Sequence, residues 1–355
     1  MKHYTQDLFE RLERENRPIL LYGMGNGADK ILDEMQKRGI PAAGVFASDG
    51  FARGNLFHGM SVVPYSAIKA QYTREECLIL LAFGSSRPEV LELFCQVSKD
   101  FELLVPDMPV CGGTLFDRAF LTANAKRMET ARALLADEDS KALFDKIVDF
   151  RMTGSFDTLM DAVSKKSAWT LLRESGKSIR RIADLGAYNG DSARDAMARF
   201  DIDFILAAEP DRRNFRKLSE WSQTVTHCTV ECHPVAICDA VGEAAFDDSG
   251  NRNAGLCTGR ARVTVPTSTP DALLNGRDVD YVKFDIEGAE REGLLGTRET
   301  VRRCKPALRI ALYHKSADLF ELPLLLHDMA PDYDLYLTRE RSVPAWDIDL
   351  IAIPK

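Results

Sequence analysis

The chain has 355 residues, 45% of them apolar and 28% charged, with a net charge of −8. That length allows about two domains of ordinary size, and the acidic balance argues against a nucleic-acid partner, whose phosphates demand clustered Lys and Arg. No apolar run approaches the ~18 residues of a membrane helix. The opening Met1–Asp7 stretch lacks a signal-peptide core, and eight scattered cysteines suit a reducing compartment. The expectation is a cytoplasmic protein with no membrane span.

Residues 1–17 read as a polar amphipathic helix, and Pro18 leads into a strand at Ile19–Tyr22. A glycine cluster, Gly23-Met-Gly-Asn-Gly27, opens a helical pattern that closes at Gly39. Strands are expected at Ala42–Ala47 and Leu78–Phe83, with a hairpin-like Gly59–Pro64 segment and a short helix at Ser66–Gln71 between them. This alternation predicts a small parallel sheet, a Rossmann-like domain, over 1–115. Helical patterns then take over at Ala119–Leu135, Ser140–Arg151 and Phe156–Glu174, giving a helical bridge over 116–178.

Alternation resumes in a domain spanning 179–355. Strands are expected at Arg181–Leu185, Asp203–Ala208, Cys228–Ile237, Tyr281–Ile286 and Ala307–Tyr313. Helices are expected at Ser192–Phe200, Arg212–Gln223, Ala289–Arg303 and Leu319–Met329. Two final strands, Asp334–Thr338 and Trp346–Ile353, have no helix between them and must pair antiparallel on an otherwise parallel sheet. The predicted fold class is α/β: a doubly wound sheet with an antiparallel last strand, preceded by the smaller Rossmann-like domain.

In Asp184-Leu-Gly-Ala-Tyr-Asn-Gly-Asp191 a strand ends on an acid, turns on glycines and enters a helix. The glycines permit close backbone approach, and the helix start can offer free N–H groups to a carboxylate. The next strand ends on Glu209-Pro210, where a carboxylate can accept both hydroxyls of a ribose. The turn is spaced Gly186-x-x-x-Gly190, without the glycine crowding that admits a pyrophosphate. A matching ligand has an adenosine and an amino-acid tail but no phosphate, which describes S-adenosylmethionine (SAM). Its expected contacts are Asp184, Gly186, Ala187, Gly190, Asp191, Glu209 and Pro210, with Asp184 meeting the ammonium directly or through water. A generic strand–turn–helix corner, or another adenosine ligand, is the alternative.

Asp285 ends the Tyr281–Ile286 strand on the same rim, and an acid inside an apolar strand needs a partner or a function. Glu287 and Glu290 straddle a helix start, where carboxylates also serve as caps. His314 ends the next strand, and an imidazole there is a candidate base for a hydroxyl proton; the other reading is a histidine satisfied by backbone. Asp285, Glu287 and His314 could also ligate a divalent cation, but no metal is assigned. In His227-Cys-Thr-Val-Glu-Cys-His233 strand alternation puts the histidines and cysteines on opposite faces, which speaks against zinc. Gly23–Ala28 matches Gly-x-Gly-x-x-Ala and Asp49 follows the next strand, so a nucleotide, a nucleotide-sugar or NAD(P) is a candidate ligand of 1–115, beside a purely structural role. The Ser48–Arg53 loop would then supply specificity.

Taken together, Asp184–Asp191, Ala208-Glu-Pro-Asp211, Thr269-Pro-Asp-Ala-Leu273, Val282-Lys-Phe-Asp-Ile-Glu-Gly-Ala-Glu290, Lys305-Pro306 and Tyr313-His-Lys315 resemble, in order, the motifs of FkbM-family methyltransferases. The resemblance covers about 179–355. It implies a class I SAM-dependent fold and O-methylation of a sugar, a glycoconjugate or a sugar-bearing natural product. It also implies cofactor roles for Asp184, Gly186 and Glu209, with Asp285 and His314 facing a small-molecule or glycan acceptor and an acceptor loop near Asp247–Thr258. N-methylation of a small amine, or a non-catalytic module that binds a nucleotide-sugar, are the alternatives.

Overall fold

A computed structural model describes residues 2–52, 54–246 and 263–355. Two apolar runs, β1 (Ile19–Tyr22) and, further along, β5 (Leu78–Leu81), are buried at every position, as parallel strands covered on both faces must be. They stand side by side in a six-stranded sheet with β2 (Gly44–Ala47), β3 (Leu56–Phe57), β4 (Met60–Pro64) and β6 (Glu102–Leu104), in the order β3-β4-β2-β1-β5-β6. Its helices are α1 (Leu8–Leu12), α2 (Asn26–Lys37), α3 (Tyr65–Gln71) and α4 (Pro88–Asp100). The helix expected over 1–17 shrinks to α1, because Asp7 and Glu10 form a capping box that fixes its start.

Four helices follow: α5 (Arg118–Ala133), α6 (Glu138–Thr153), α7 (Phe156–Asp161) and α8 (Ala168–Glu174). The single helix expected over 156–174 is two, since Ser167 accepts the Thr170 N–H and starts α8 afresh.

Beyond them β7 (Arg181–Leu185), α9 (Asp191–Met197), β8 (Phe204–Ala208), α10 (Arg212–Ser222) and β9 (Thr229–His233) build one half of a second sheet. Pro234 has no N–H to donate, and the strand expected over 228–237 breaks there. The remainder, β10 (Ala236–Ile237), joins a separate three-stranded sheet with β11 (Gly242–Phe246) and β12 (Val263–Ser268). After α11 (Pro270–Leu274) come β13 (Tyr281–Phe284), α12 (Glu290–Leu295), α13 (Arg298–Cys304), β14 (Ala307–Ala311), α14 (Asp318–Met329), β15 (Tyr333–Arg339) and β16 (Ile348–Pro354). The helix expected over 289–303 divides at Gly296, where a Cβ would stand 2.5 Å from the Cys238 carbonyl oxygen.

The second sheet runs β15-β16-β14-β13-β7-β8-β9, with β16 antiparallel to both neighbours and every other pairing parallel. That is the doubly wound topology with an antiparallel last strand anticipated from the sequence. α5 packs on α14, α6 on β15 and α8 on β16, so the bridging helices cover the hairpin flank. One apolar cluster runs from Leu20 and Phe46 through α5 and α6 to Leu350 and Ala352. Loops that follow strands of the two sheets also touch directly. Ser85, just past β5, exchanges two backbone hydrogen bonds with Val343 at 2.7 and 3.0 Å, and a Cβ on Gly84 would lie 2.5 Å from the Trp346 ring. The acceptor loop anticipated at Asp247–Thr258, and Arg53 of the Ser48–Arg53 loop, lie outside the described residues. Among the described residues no helix is long and apolar enough to cross a membrane.

Candidate active site

At the carboxyl ends of β7, β8, β13 and β14 lies a cleft of about 370 Å³. The first βα turn lines it. Gly186 (φ +79°) has no room for a side chain, since a Cβ would stand 1.8 Å from the Asp285 carbonyl oxygen. Asp191, Ser192, Glu209 and Pro210 line the cleft with it, as do the apolar Val235, Ala236 and Ile237. Ala187 and Gly190 support the turn from behind: Ala187 is fully buried, and the missing Cβ of Gly190 leaves space for the Trp221 ring.

Asp184 also lies within the wall. It is 2% exposed, and its two oxygens accept from the Ser192 hydroxyl (2.6 Å) and the Lys283 ammonium (3.2 Å). The direct ammonium contact anticipated for Asp184 is therefore not what this geometry offers; Ser192 and Asp191 are the groups that reach the cleft. Glu209 does reach it. Its oxygens accept the N–H groups of Tyr188 and Asp211, both at 2.9 Å, and burial outweighs these bonds to push its carboxyl up to about 7.

Next to this turn the cleft is rich in charge. Lys283 pairs in register with Asp184, donates to the Gly186 carbonyl (3.1 Å) and stands 3.6 Å from Asp285. Burial works against its ammonium, but the two carboxylates prevail and hold its pKa above the ordinary lysine value. Sequence reasoning passed over this residue, although a lysine inside the apolar Tyr281–Phe284 strand was the available signal. Asp285 keeps about a third of its side chain exposed and accepts from the Tyr313 hydroxyl at 3.1 Å. Burial raises its pKa, but Lys283, His314, Arg309 and that hydroxyl together hold it below the usual carboxylate range.

Glu287 and Asp347 flank Asp285 with backbones at φ 55° and 56°, where non-glycine residues are strained. Burial first, and neighbouring carboxylates second, push Glu287 up to about 8 and Asp347 up to about 6. Asp347, Arg309 and Tyr313 were not singled out as site residues by sequence reasoning.

His314 is 0% exposed and stands behind the lining of the cleft. Its Nδ1 is 2.9 Å from Glu290 Oε1, off the line of a straight hydrogen bond but well within charge-pairing range. Its Nε2 lies 3.4 Å from Glu287 and 3.6 Å from Asp285. Burial disfavours the imidazolium, yet Glu290, Glu287 and Asp285 outweigh it and raise the pKa to about 10. With its pKa raised by these carboxylates and no face on the cleft, the imidazole is placed to stabilise Glu290, Glu287 and Asp285. Glu290 takes the Ile286 and Gly288 N–H groups, as a residue at a helix start does. Among the described residues no group of three or more His, Cys, Asp or Glu is arranged to hold a metal ion.

These raised values fix a sign. His314 binds its proton more tightly folded than unfolded, so its contribution is full below about 6.5 and is lost as pH climbs towards 10. Glu209 and Glu287 also hold protons longer when folded, and they disfavour the folded state increasingly from pH ~4.5 up through 7–8. The ligand-free protein is expected to melt at a higher temperature at pH 5.5 than at pH 8.5. Calorimetry showing an equal or higher Tm at pH 8.5 would contradict this electrostatic assignment.

The glycine cluster of the first sheet faces a smaller crevice, about 260 Å³, lined by Lys30, Phe83, Pro344 and Trp346 among others. Lys30 spends two of its ammonium hydrogens on the Pro109 and Val110 carbonyls. Asp49 accepts the Ser66 N–H at 2.9 Å near the start of α3 and does not line this crevice, contrary to the ribose role considered for it.

Residues 184–339 match the family model described as the methyltransferase FkbM domain. The chain carries an FkbM methyltransferase domain. Among solved structures the chain is similar to the methyltransferase FkbM from Methylobacillus flagellatus KT, at 18% identity and a TM-score of 0.68, over 94% of this chain and 89% of that one. At such identity the likeness is one of fold, and its extent takes in most of the first sheet as well as the FkbM domain. A second similar structure is Aeropyrum pernix fibrillarin with natively bound S-adenosyl-L-methionine, at 15% identity and a TM-score of 0.32, over 52% of this chain and 77% of that one. Comparison with curated proteins gave no match.

Proposed function

We propose that the protein is a SAM-dependent O-methyltransferase acting on a hydroxyl of a sugar or glycoconjugate, with 179–355 as the catalytic domain and 1–115 as a separate Rossmann-like unit. The observation that carries this reading is a cleft in the FkbM domain lined at once by Glu209, by the Gly186 turn and by Asp285, whose carboxyl is held below the usual carboxylate range. These residues fit the cofactor: a carboxylate for the ribose hydroxyls, a glycine turn at the strand end, and apolar lining at Val235–Ile237. SAM, when bound, supplies an electrophilic methyl group.

The chain's own residues then have separable tasks. Asp285 accepts the hydrogen bond of the acceptor hydroxyl and draws its proton as the oxygen attacks. Lys283, Tyr313 and the buried His314 imidazolium keep Asp285 ionised and in place. Glu287 and Asp347, beside it, offer acceptor oxygens to the further hydroxyls of a polyol. Radiolabelled methyl transfer from SAM to a panel of monosaccharides, glycosides and nucleotide-sugars, set against a panel of amines, tests the reading. Transfer confined to amines would overturn it.

Glu209→Ala removes the carboxylate that would hold the ribose. Loss of two charge-assisted hydrogen bonds, about 2–4 kcal/mol, is expected to weaken S-adenosylhomocysteine at least about tenfold in calorimetry. An unchanged affinity in a folded variant would remove Glu209 from the cofactor site.

A further inference from the structure

The first sheet has a switch point of its own, to which the function proposed above gives no task. In the order β3-β4-β2-β1-β5-β6, β2 and β5 pair in parallel with opposite sides of β1. The chain therefore leaves β1 in one direction and later returns to its other side. In open α/β sheets ligands bind at such a point, outside the carboxyl ends of the strands. The FkbM domain follows the rule: β8 and β13 flank β7, and the cleft lies at the ends of all three. At the matching place in the first sheet lies the crevice of about 260 Å³, with Met24 just past β1 and Phe83 and Gly84 just past β5.

Its lining differs from that of the cleft, where carboxylates predominate. Lys30 is the only charged residue among the described ones that line the crevice. Its ammonium donates to the Pro109 and Val110 carbonyls at 2.8 and 2.9 Å, and among the described residues no carboxylate pairs with it. Neutral carbonyls leave the charge uncompensated, and partial burial lowers the Lys30 pKa below the ordinary lysine value. Most of the remaining lining is apolar, with the half-buried rings of Phe83 and Trp346. A mainly apolar pocket with one cation suits a ring that carries an anionic group. Asp49 is engaged by the Ser66 N–H outside the crevice, so the acid that a dinucleotide's ribose would need is not at hand.

We propose that this crevice is a second ligand site, for an organic phosphate, with its phosphate group at Lys30 and its ring against Trp346. Two sources share that chemistry: a sugar phosphate, and the nucleotide part of a nucleotide-sugar. The occupant would lie against two segments that run on to the cleft. Trp346 is followed by Asp347, and Val110 by Cys111, whose Sγ is 3.7 Å from Glu287 Oε2.

Titration calorimetry on the full chain tests this without SAM or a methyl acceptor. The probes are glucose 1-phosphate and uridine diphosphate, set against glucose, uridine and inorganic phosphate. One of the two organic phosphates is expected to bind at least about tenfold tighter than its unphosphorylated counterpart and than inorganic phosphate; which one does so names the source. Lys30→Gln keeps an N–H donor for the two carbonyls and removes the charge, and is expected to lose about tenfold for that probe. Trp346→Leu is expected to lose at least about fivefold by removing the stacking face. A native chain that binds neither organic phosphate, or binds inorganic phosphate equally well, would overturn the proposal without any variant. Undiminished binding in a folded Lys30→Gln protein would place the phosphate elsewhere and overturn it too.

Discussion

Lys283→Met is expected to cost about 3–5 kcal/mol of folding stability, the penalty for breaking a buried ion pair by removing one partner. The methionine nearly matches the lysine in volume, so the loss reports charge more than packing. In the native chain the ammonium lies 3.2 Å from Asp184 and 3.6 Å from Asp285 and also donates to the Gly186 carbonyl. Without it, Asp184 keeps only the Ser192 hydroxyl as a partner at 2% exposure. Urea denaturation at pH 7 measures the loss, and combining the change with Asp184→Asn should return part of it, since the second substitution removes the stranded charge. A cost below about 1 kcal/mol, or strict additivity in the double variant, would show that the lysine does not hold the wall of the cleft together.

Asp285→Asn is expected to lower methyl-transfer turnover by about 10²–10⁴ while leaving S-adenosylhomocysteine affinity nearly unchanged. The amide keeps the size of the side chain and can still accept from Tyr313, but it cannot draw a proton. The pH profile separates this assignment from the one sequence reasoning favoured. With Asp285 as the proton acceptor, held ionised by Lys283, His314 and Arg309, activity should have no acid limb between pH 5 and 8 from this group. With His314 in that role, activity would climb towards pH 10 as the imidazolium lost its proton. Turnover of Asp285→Asn within threefold of native would leave alignment of the reactants as the source of rate.

The α/β alternation and the antiparallel end of the second sheet were legible in the sequence because apolar strands alternate with amphipathic helices, and because two strands without an intervening helix have only an antiparallel solution. Asp184, Glu209, Asp285 and His314 were legible as polar residues at the ends of apolar runs. Their environments were not. Asp184 and His314 lie behind the lining of the cleft because Lys283 and Glu290, residues distant in sequence from one or the other, draw them into the wall. A strand pattern says which face a residue takes, but not whether its charge will meet a partner there. Asp347 carries no local signal of this kind, being a loop acid between β15 and β16 whose place in the cleft depends on how that loop is anchored. The breaks at Pro234 and Gly296 were readable in principle, since one lacks a donor and the other a side chain, but the apolar periodicity on either side masked them.

The anchoring of that loop bears on how such a protein can change by descent. Its backbone is bonded to Ser85, just past β5, its Trp346 ring rests where Gly84 has no side chain, and the next residue along is Asp347 in the cleft. An indole on one half and a bare backbone on the other make a lock whose parts lie some 260 residues apart in the sequence. A recombinant that joined this FkbM domain to a first sheet bearing alanine at that point would bring a methyl group within 2.5–2.7 Å of the ring and of the Val343 carbonyl. The loop would have to shift, and Asp347, the acid where it enters β16, would leave its place beside Asp285. The two halves are therefore not interchangeable parts: any exchange between lineages must carry glycine and tryptophan together, or reshape this side of the cleft.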